Sequence, residues 1–290
     1  MLLQRVITAS ILAPLVVLAV FKLPHAYFSL LWGIVLLVAA WEWTNLAEVK
    51  TTLGKVLFLL ALLVPMLFLH FWTQALEVAA QLTNYPEIRT YSGVIEFLML
   101  PIILFWFWVM FRIRKSAADL LELKLSMAKK LFIGGFILVS AWLFLSRLMV
   151  LEEPSMTMFF FVLIWSADIG AYFAGKKFGK TKLAIEISPG KTLEGLYGAL
   201  VSAVVVGLCF TLYFGFSMMS ISDFMMLSVI TVLISVYGDL FFSVAKRIRG
   251  VKDSGAILPG HGGLLDRLDS VIAAVPVFYA GVWFIRWMYS

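Results

Sequence analysis

The chain has 290 residues, 62% of them hydrophobic and only 14% charged, with a mean hydropathy of +1.00. A soluble domain carries roughly 25% charged and about 45–50% apolar residues, so this composition excludes a soluble globular protein and defines a polytopic membrane protein. The net charge of +6 does not call for a nucleic-acid partner, because the cations are dispersed among apolar runs, where an excess of Lys and Arg records topology.

A spanning helix needs about 20 apolar residues. Segments near that length fall at about 7–22, 26–45, 55–73, 95–111, 131–150, 156–175, 193–216, 222–243 and 270–288. The predicted fold is all-α, a polytopic integral membrane protein of about nine transmembrane helices. Residues 1–150 supply about five of the spans and 151–290 about four, the latter carrying the polar motifs. Arg5 and the apolar run behind it resemble a secretory signal, but KLPHAYF offers no small-x-small cleavage site, so a retained first span is expected. Pro14, Pro65 and Pro276 fall inside spans, which membrane helices tolerate. No internal repeat is evident, which weighs against the repeat-built transporter folds.

Three acids lie within apolar runs: Glu42 in WEW, Asp168 in WSADIGAY and Asp239 in YGDLFFS. Charge inside a bilayer is costly and marks function by default. Each has a structural alternative, pairing with a nearby Lys or Trp N–H; Asp239, four residues before a cationic segment, is assigned to function. Segment 116–130, SAADLLELKLSMAKK, reads either as a short helix at the cytoplasmic interface or as a solvated connector. The lone cysteine, Cys209, sits in the apolar run VVVGLCF, so no internal disulfide or thiolate cluster can form.

Loop charge orients the spans. The loops sharing a side with the N-terminus hold nineteen of the Lys and Arg residues; Lys22, Arg89, Arg147 and Arg286 are the four on the other side. By the positive-inside rule the rich side is cytoplasmic. An inner, cytoplasmic membrane location follows, with the polar loops facing the cytoplasm.

Two of those loops carry chemistry. In KKFGKTKLAIEISPGKTLEG, Ser188 and Pro189 suit the N-cap and first position of a helix. Gly190, Lys191 and Thr192 would then lie at its first turn, where free N–H groups favour phosphate. GKT is not a P-loop, since Ile185 stands where the first glycine is needed. The second segment, 243–269, reads SVAKRIRGVKDSGAILPGHGGLLDRLD. It packs Lys246, Arg247, Arg249, Lys252, Asp253, His261, Asp266, Arg267 and Asp269 around five glycines. Cations suit phosphate, aspartates suit a divalent metal, and glycines admit close backbone approach. Asp239 and Asp266, 27 residues apart at the end of one span and the start of the next, could hold one Mg²⁺. Asp269, three residues after Asp266, would share its helix face, with Arg267 pointing elsewhere. His261 could serve as acid or base, phosphate donor or hydrogen bonder. Zinc is excluded because His25 and His70, the remaining histidines, lie in distant segments.

The run GDLFFSVAKRIRGVKDSGAILPGHGGLLDRLDS closely resembles the signature of the phosphatidate cytidylyltransferases, or CDP-diacylglycerol synthases. That signature is Ser, two positions, Lys-Arg, four positions, Lys-Asp, Pro-x-His-Gly-Gly and Asp-Arg-x-Asp. Ala245 is the one departure, where a larger aliphatic residue is usual; it touches packing rather than chemistry. SADIGAYFAGKKFGK and SPGKTLEG also look like the family's, so the resemblance covers about residues 160–270. It implies conversion of CTP and phosphatidate to CDP-diacylglycerol and pyrophosphate. A Mg²⁺ requirement with K⁺ assisting, a homodimer, and metal aspartates at Asp239 and Asp266 are also implied, with Asp269 beside them. Lys191, Lys246, Arg247, Lys252, Asp253, His261 and Arg267 would be the catalytic groups, and Ser188, Gly190, Thr192, Gly262 and Gly263 would line the nucleotide. An ion-coupled transporter or a polyprenol kinase are the alternatives. The former leaves His-Gly-Gly and Asp-Arg-x-Asp unexplained. A CDP-alcohol phosphatidyltransferase is excluded because its Asp-Gly-x-x-Ala-Arg motif is missing.

Overall fold

The computed structural model describes residues 2–85, 93, 95–257 and 262–289. In chain order they form α1 (Leu2–Lys22), α2 (His25–Leu46), α3 (Thr52–Thr83), α4 (Met99–Lys115), α5 (Ala117–Leu121), α6 (Met127–Leu151) and α7 (Pro154–Phe178). A two-stranded hairpin follows, β1 (Lys182–Ala184) and β2 (Ser188–Thr192), then α8 (Leu193–Tyr213), α9 (Met218–Arg249) and α10 (Leu265–Tyr289). Among the described residues, eight helices are long and apolar enough to cross a membrane, and α1 adds the shorter apolar stretch Ser10–Lys22. The expected all-α membrane architecture is what forms, with the count of nine resting on α1.

The helices outrun the apolar segments that announce them. α9 continues to Arg249 because nothing between Ser243 and Arg249 breaks it, and Lys246, Arg247 and Arg249 in its last turn oppose the helix dipole. Gly250, at φ 75°, ends it: the Gly250 N–H bonds Arg247 O and the Val251 N–H bonds Lys246 O, each at 2.9 Å. In segment 116–130 a short helix forms at Ala117–Leu121, with Ala117 and Leu120 buried, and residues 127–130 already belong to α6, capped by Ser126. The short-helix reading therefore holds for five residues of that segment.

Apolar burial cannot select helix partners inside lipid, so small residues and interhelical hydrogen bonds must do so. α2 and α6 exchange indole donors: Trp32 Nε1 reaches Ala141 O at 3.2 Å and Trp142 Nε1 reaches Ser29 O at 3.1 Å. Trp43 Nε1 donates to Lys130 O at 3.0 Å in a slot opened by Gly134, where a Cβ would lie 1.8 Å from that nitrogen. The Trp43 ring also stacks on Phe241 of α9. These contacts hold the end of α2 against α6 and α9, and so position Glu42.

α7 and α8 cross at small residues. A Cβ on Gly198 would stand 2.4 Å from Ala174 Cβ and 2.6 Å from Gly170 O, and one on Gly170 would meet Ser202 Oγ at 2.1 Å. The four-residue spacing Gly170/Ala174 and Gly198/Ser202 is the small-x-x-x-small pattern of close membrane helices.

Candidate active site

The C-terminal ends of α2, α7 and α9 and the N-terminal ends of α8 and α10 carry the polar residues, and the hairpin connects α7 to α8. Between α7, the hairpin, α8, α9 and α10 lies a cavity of about 340 Å³, bordered by Asp168 of α7, Gly190, Lys191 and Thr192 of β2, Asp239 of α9 and Ser270 of α10.

The hairpin corrects one expectation. Ser188 and Pro189 do not open a helix; they begin β2, which pairs antiparallel with β1 through Ala184↔Ser188 and Lys182↔Thr192. Proline is compatible with this short two-stranded ladder, where its missing N–H need not be paired. The helix starts four residues later, capped by Thr192, whose Oγ1 accepts from Gly195 N at 3.1 Å. Its first-turn donors are used internally, since Leu193 N bonds Thr181 O at 2.9 Å. Lys191 therefore lies on a strand, not at a helix N-terminus. Its Nζ lies 2.6 Å from Asp239 Oδ2 and 3.3 Å from Val236 O.

Asp239 keeps its other oxygen lightly used, accepting from Ser243 Oγ at 3.4 Å. The Lys191–Asp239 pair is 25% and 32% exposed, against 12% and 9% for Lys246–Asp266, so the first pair is the more open to a solute. Lys246 Nζ sits 2.7 Å from Asp266 Oδ1, and Asp266 Oδ2 accepts from Ser254 N at 2.8 Å and Gly263 N at 3.0 Å. Gly262 turns the chain at φ +84°, with Asp253 and Asp266 both 3.2 Å from where a Cβ would be. Asp269 is buried, one turn into α10, with Oδ1 on Ser270 N at 2.7 Å.

Of the remaining candidates, Arg247 donates Nε to Ile187 O at 3.1 Å and ties α9 to the hairpin turn. Lys252, Asp253 and Arg267 are exposed, Arg267 within electrostatic reach of Asp168. Gly263 is buried and His261 lies outside the described residues. Among the described residues Glu42 pairs with neither a Lys nor a Trp N–H; it accepts from Ser254 Oγ and from the N–H groups of Leu264 and Leu265 at the start of α10. Its isolation in WEW marked it as an unusual acid, but its partners lie 212 to 223 residues away.

Among the described residues no group of three His, Cys, Asp or Glu side chains is arranged to hold a metal ion. Mg²⁺ needs less: it is commonly held by one or two carboxylates together with water and substrate phosphates. Asp239 borders a cavity, and its Oδ1 is only lightly hydrogen-bonded while Oδ2 is held by Lys191, so it fits that chemistry through Oδ1.

An apolar helix bundle whose one end sets lysines against carboxylates around a cavity defines a membrane-embedded enzyme for phosphate-bearing molecules. The chain belongs to the cytidylyltransferase family, whose model matches residues 3–285. It is 36% identical to a phosphatidate cytidylyltransferase of Haemophilus influenzae, across 96% of this chain and 97% of that one. A phosphatidate cytidylyltransferase of Pseudomonas aeruginosa is likewise 36% identical, over 99% of both chains. With that of Bacillus subtilis, 46% identity spans 44% of this chain and 48% of the relative. The chain is thus a nucleotidyltransferase.

Proposed function

We infer that this chain transfers a cytidylyl group from CTP to phosphatidate, forming CDP-diacylglycerol and pyrophosphate for phospholipid synthesis. What carries the reading is the 36% identity to two phosphatidate cytidylyltransferases along nearly the whole chain. The physical chemistry agrees with it. A phosphate oxygen of phosphatidate forms a bond to the α-phosphorus of CTP. The bond from that phosphorus to the bridging oxygen breaks, and pyrophosphate leaves with the electron pair. The nucleophile is already an anion at neutral pH, because the second pKa of a phosphomonoester is near ~6. A strong general base is unnecessary; the barrier lies in bringing polyanions together in line.

Lys191 and Lys246 supply positive charge at the cavity and at the loop behind it, each held in place by a carboxylate. Arg247, Lys252 and Arg267 add cations from the same end. Ser188, Gly190 and Thr192 of the hairpin, with Gly262 and Gly263 of the loop, provide backbone and hydroxyl groups for the nucleotide, and Asp253 and His261 belong to the same loop. Asp239 and Asp266 would hold Mg²⁺, with Asp269 behind them, the ion competing with the two lysines for carboxylate oxygens. Bound there, Mg²⁺ neutralises phosphate charge in the substrate and in the departing pyrophosphate. A K⁺ requirement and a homodimer belong to the same proposal; K⁺ omission from the assay and the mass of the detergent-solubilised particle test them.

Purified protein given CTP, phosphatidate and Mg²⁺ is expected to form CDP-diacylglycerol. Label from the γ-phosphate of CTP should leave with pyrophosphate; label on the lipid would make the chain a kinase instead.

The proposed orientation puts the hairpin and the 250–264 loop in the cytoplasm of an inner membrane. In a Cys209→Ser background, single cysteines at the exposed positions Lys180 and Ala256 should resist an impermeant thiol reagent in intact cells. Both should react after permeabilisation. Ser254 is unsuitable for this purpose because it is buried against Glu42. Labelling in intact cells would reverse the orientation.

A further inference from the structure

Glu42 lies in the half of the chain that carries none of the recognisable motifs, yet the residue is 1% exposed and its carboxylate is committed to the loop before α10 and the start of that helix. Oε2 accepts from Ser254 Oγ at 3.0 Å and from Leu265 N at 2.8 Å, and Oε1 accepts from Leu264 N at 3.1 Å. None of the ion pairs among the described residues includes it. A buried carboxylate without a cation partner is costly unless several donors satisfy it, and here the three donors come from the loop and the first residue of α10.

That loop is built around the carboxylate. A Cβ on Gly255 would stand 2.3 Å from Glu42 Oε1, and one on Gly263 would stand 2.5 Å from Oε2 and 2.0 Å from Ser254 Oγ. Ser254 is gripped twice, its hydroxyl by Glu42 and its N–H by Asp266 Oδ2. Asp266 in turn holds Gly263 N and the Lys246 ammonium. Glu42 therefore fixes both limbs of the loop and the first turn of α10, from which Asp266 projects one residue further on.

We propose that Glu42 is a positioning residue for the transfer reaction: through Ser254, Leu264 and Leu265 it sets the place of Asp266 and Lys246 without touching substrate. This rests on the reading that Asp266 and Lys246 serve the reaction. Groups that orient a metal-binding or charged first layer typically change metal affinity or activity by about 10–100-fold when altered.

Glu42→Gln is the primary test. It preserves size but turns one oxygen into a donor, so a loop N–H must lose its acceptor. In the purified full chain, two readouts are taken beside wild type. The first is kcat with the Mg²⁺ concentration giving half-maximal rate. The second is amide hydrogen exchange of peptides from 254–265 and from α2 around 28–40. The expected result is about a 10–100-fold loss in kcat or Mg²⁺ response, with faster exchange confined to the loop. Wild-type kcat and Mg²⁺ response would overturn the proposal, and so would equal loosening of α2 and the loop, which marks a merely structural role. Should Glu42→Gln not fold, Ser254→Ala, which removes one of the three bonds and keeps the carboxylate, is read by the same criteria. If wild type itself makes no CDP-diacylglycerol, the functional reading fails; loop-confined exchange would still show the clamp, and its absence would sink that separately.

Discussion

Asp239→Asn should leave a folded protein whose turnover falls by about 10²–10³-fold or more, the scale on which losing one electrostatic contact to a transition state is felt. The substitution keeps the shape of the side chain and removes its charge at the point where α9 meets the cavity. The Lys191 ammonium, 2.6 Å away, then loses its anionic anchor, and the proposed Mg²⁺ site loses its most accessible hard oxygen. A Mg²⁺ titration with thermal stability followed in parallel is the measurement. Asp266→Asn is expected to behave differently, because Asp266 Oδ2 accepts two backbone N–H groups and Oδ1 a lysine. An amide nitrogen there must face one of those donors, so rate and loop order should fall together. Unchanged kcat/KM and unchanged Mg²⁺ response in both variants would remove the aspartates from the mechanism.

Gly198→Leu should separate α7 from α8 and abolish activity through the fold rather than the chemistry. Even a methyl group at this position lies 2.6 Å from the Gly170 carbonyl oxygen, a backbone atom that cannot rotate away. Overpacking a close contact costs about 1–3 kcal/mol and sometimes more, and here relief requires moving a whole helix. α7 carries Asp168 and α8 follows directly on Lys191 and Thr192, so a shift between them parts two walls of the cavity. Thermal unfolding in detergent should drop markedly, while Val201→Leu, at a position of the same helix that is 63% exposed, should leave stability and rate unchanged. A Gly198→Leu protein as stable and active as wild type would show that the two helices do not depend on this approach.

The spans were legible because every backbone polar group in a bilayer must be satisfied within its own helix, a demand that about 20 consecutive apolar residues announce locally. The charged ends of α9 and α10 were less legible, since a helix continues past its apolar run until something such as Gly250 stops it. The run from Lys246 to Asp269 was recognisable for a related reason: its residue types and spacings lie close together in the chain, so the resemblance to a cytidylyltransferase needed no fold. Ser188 and Pro189 misled because the same pair suits a helix opening or a short strand, and the choice rested on whether β1 was there to pair with.

Composition and order along the chain were enough for the membrane class, the helices, the family and the stretch proposed to bear the chemistry, because each depends on neighbours a few residues apart. Which carboxylate meets which partner was decided only by packing. Lys191 finds Asp239 because the hairpin folds against α9, and Lys246 finds Asp266 because α9 and α10 lie side by side. Glu42 finds Leu264 and Leu265, more than two hundred residues on, because paired tryptophans and a glycine slot press α2 against α6. A buried charge takes the donors that helix packing delivers to it, and no local pattern in the chain records which those are.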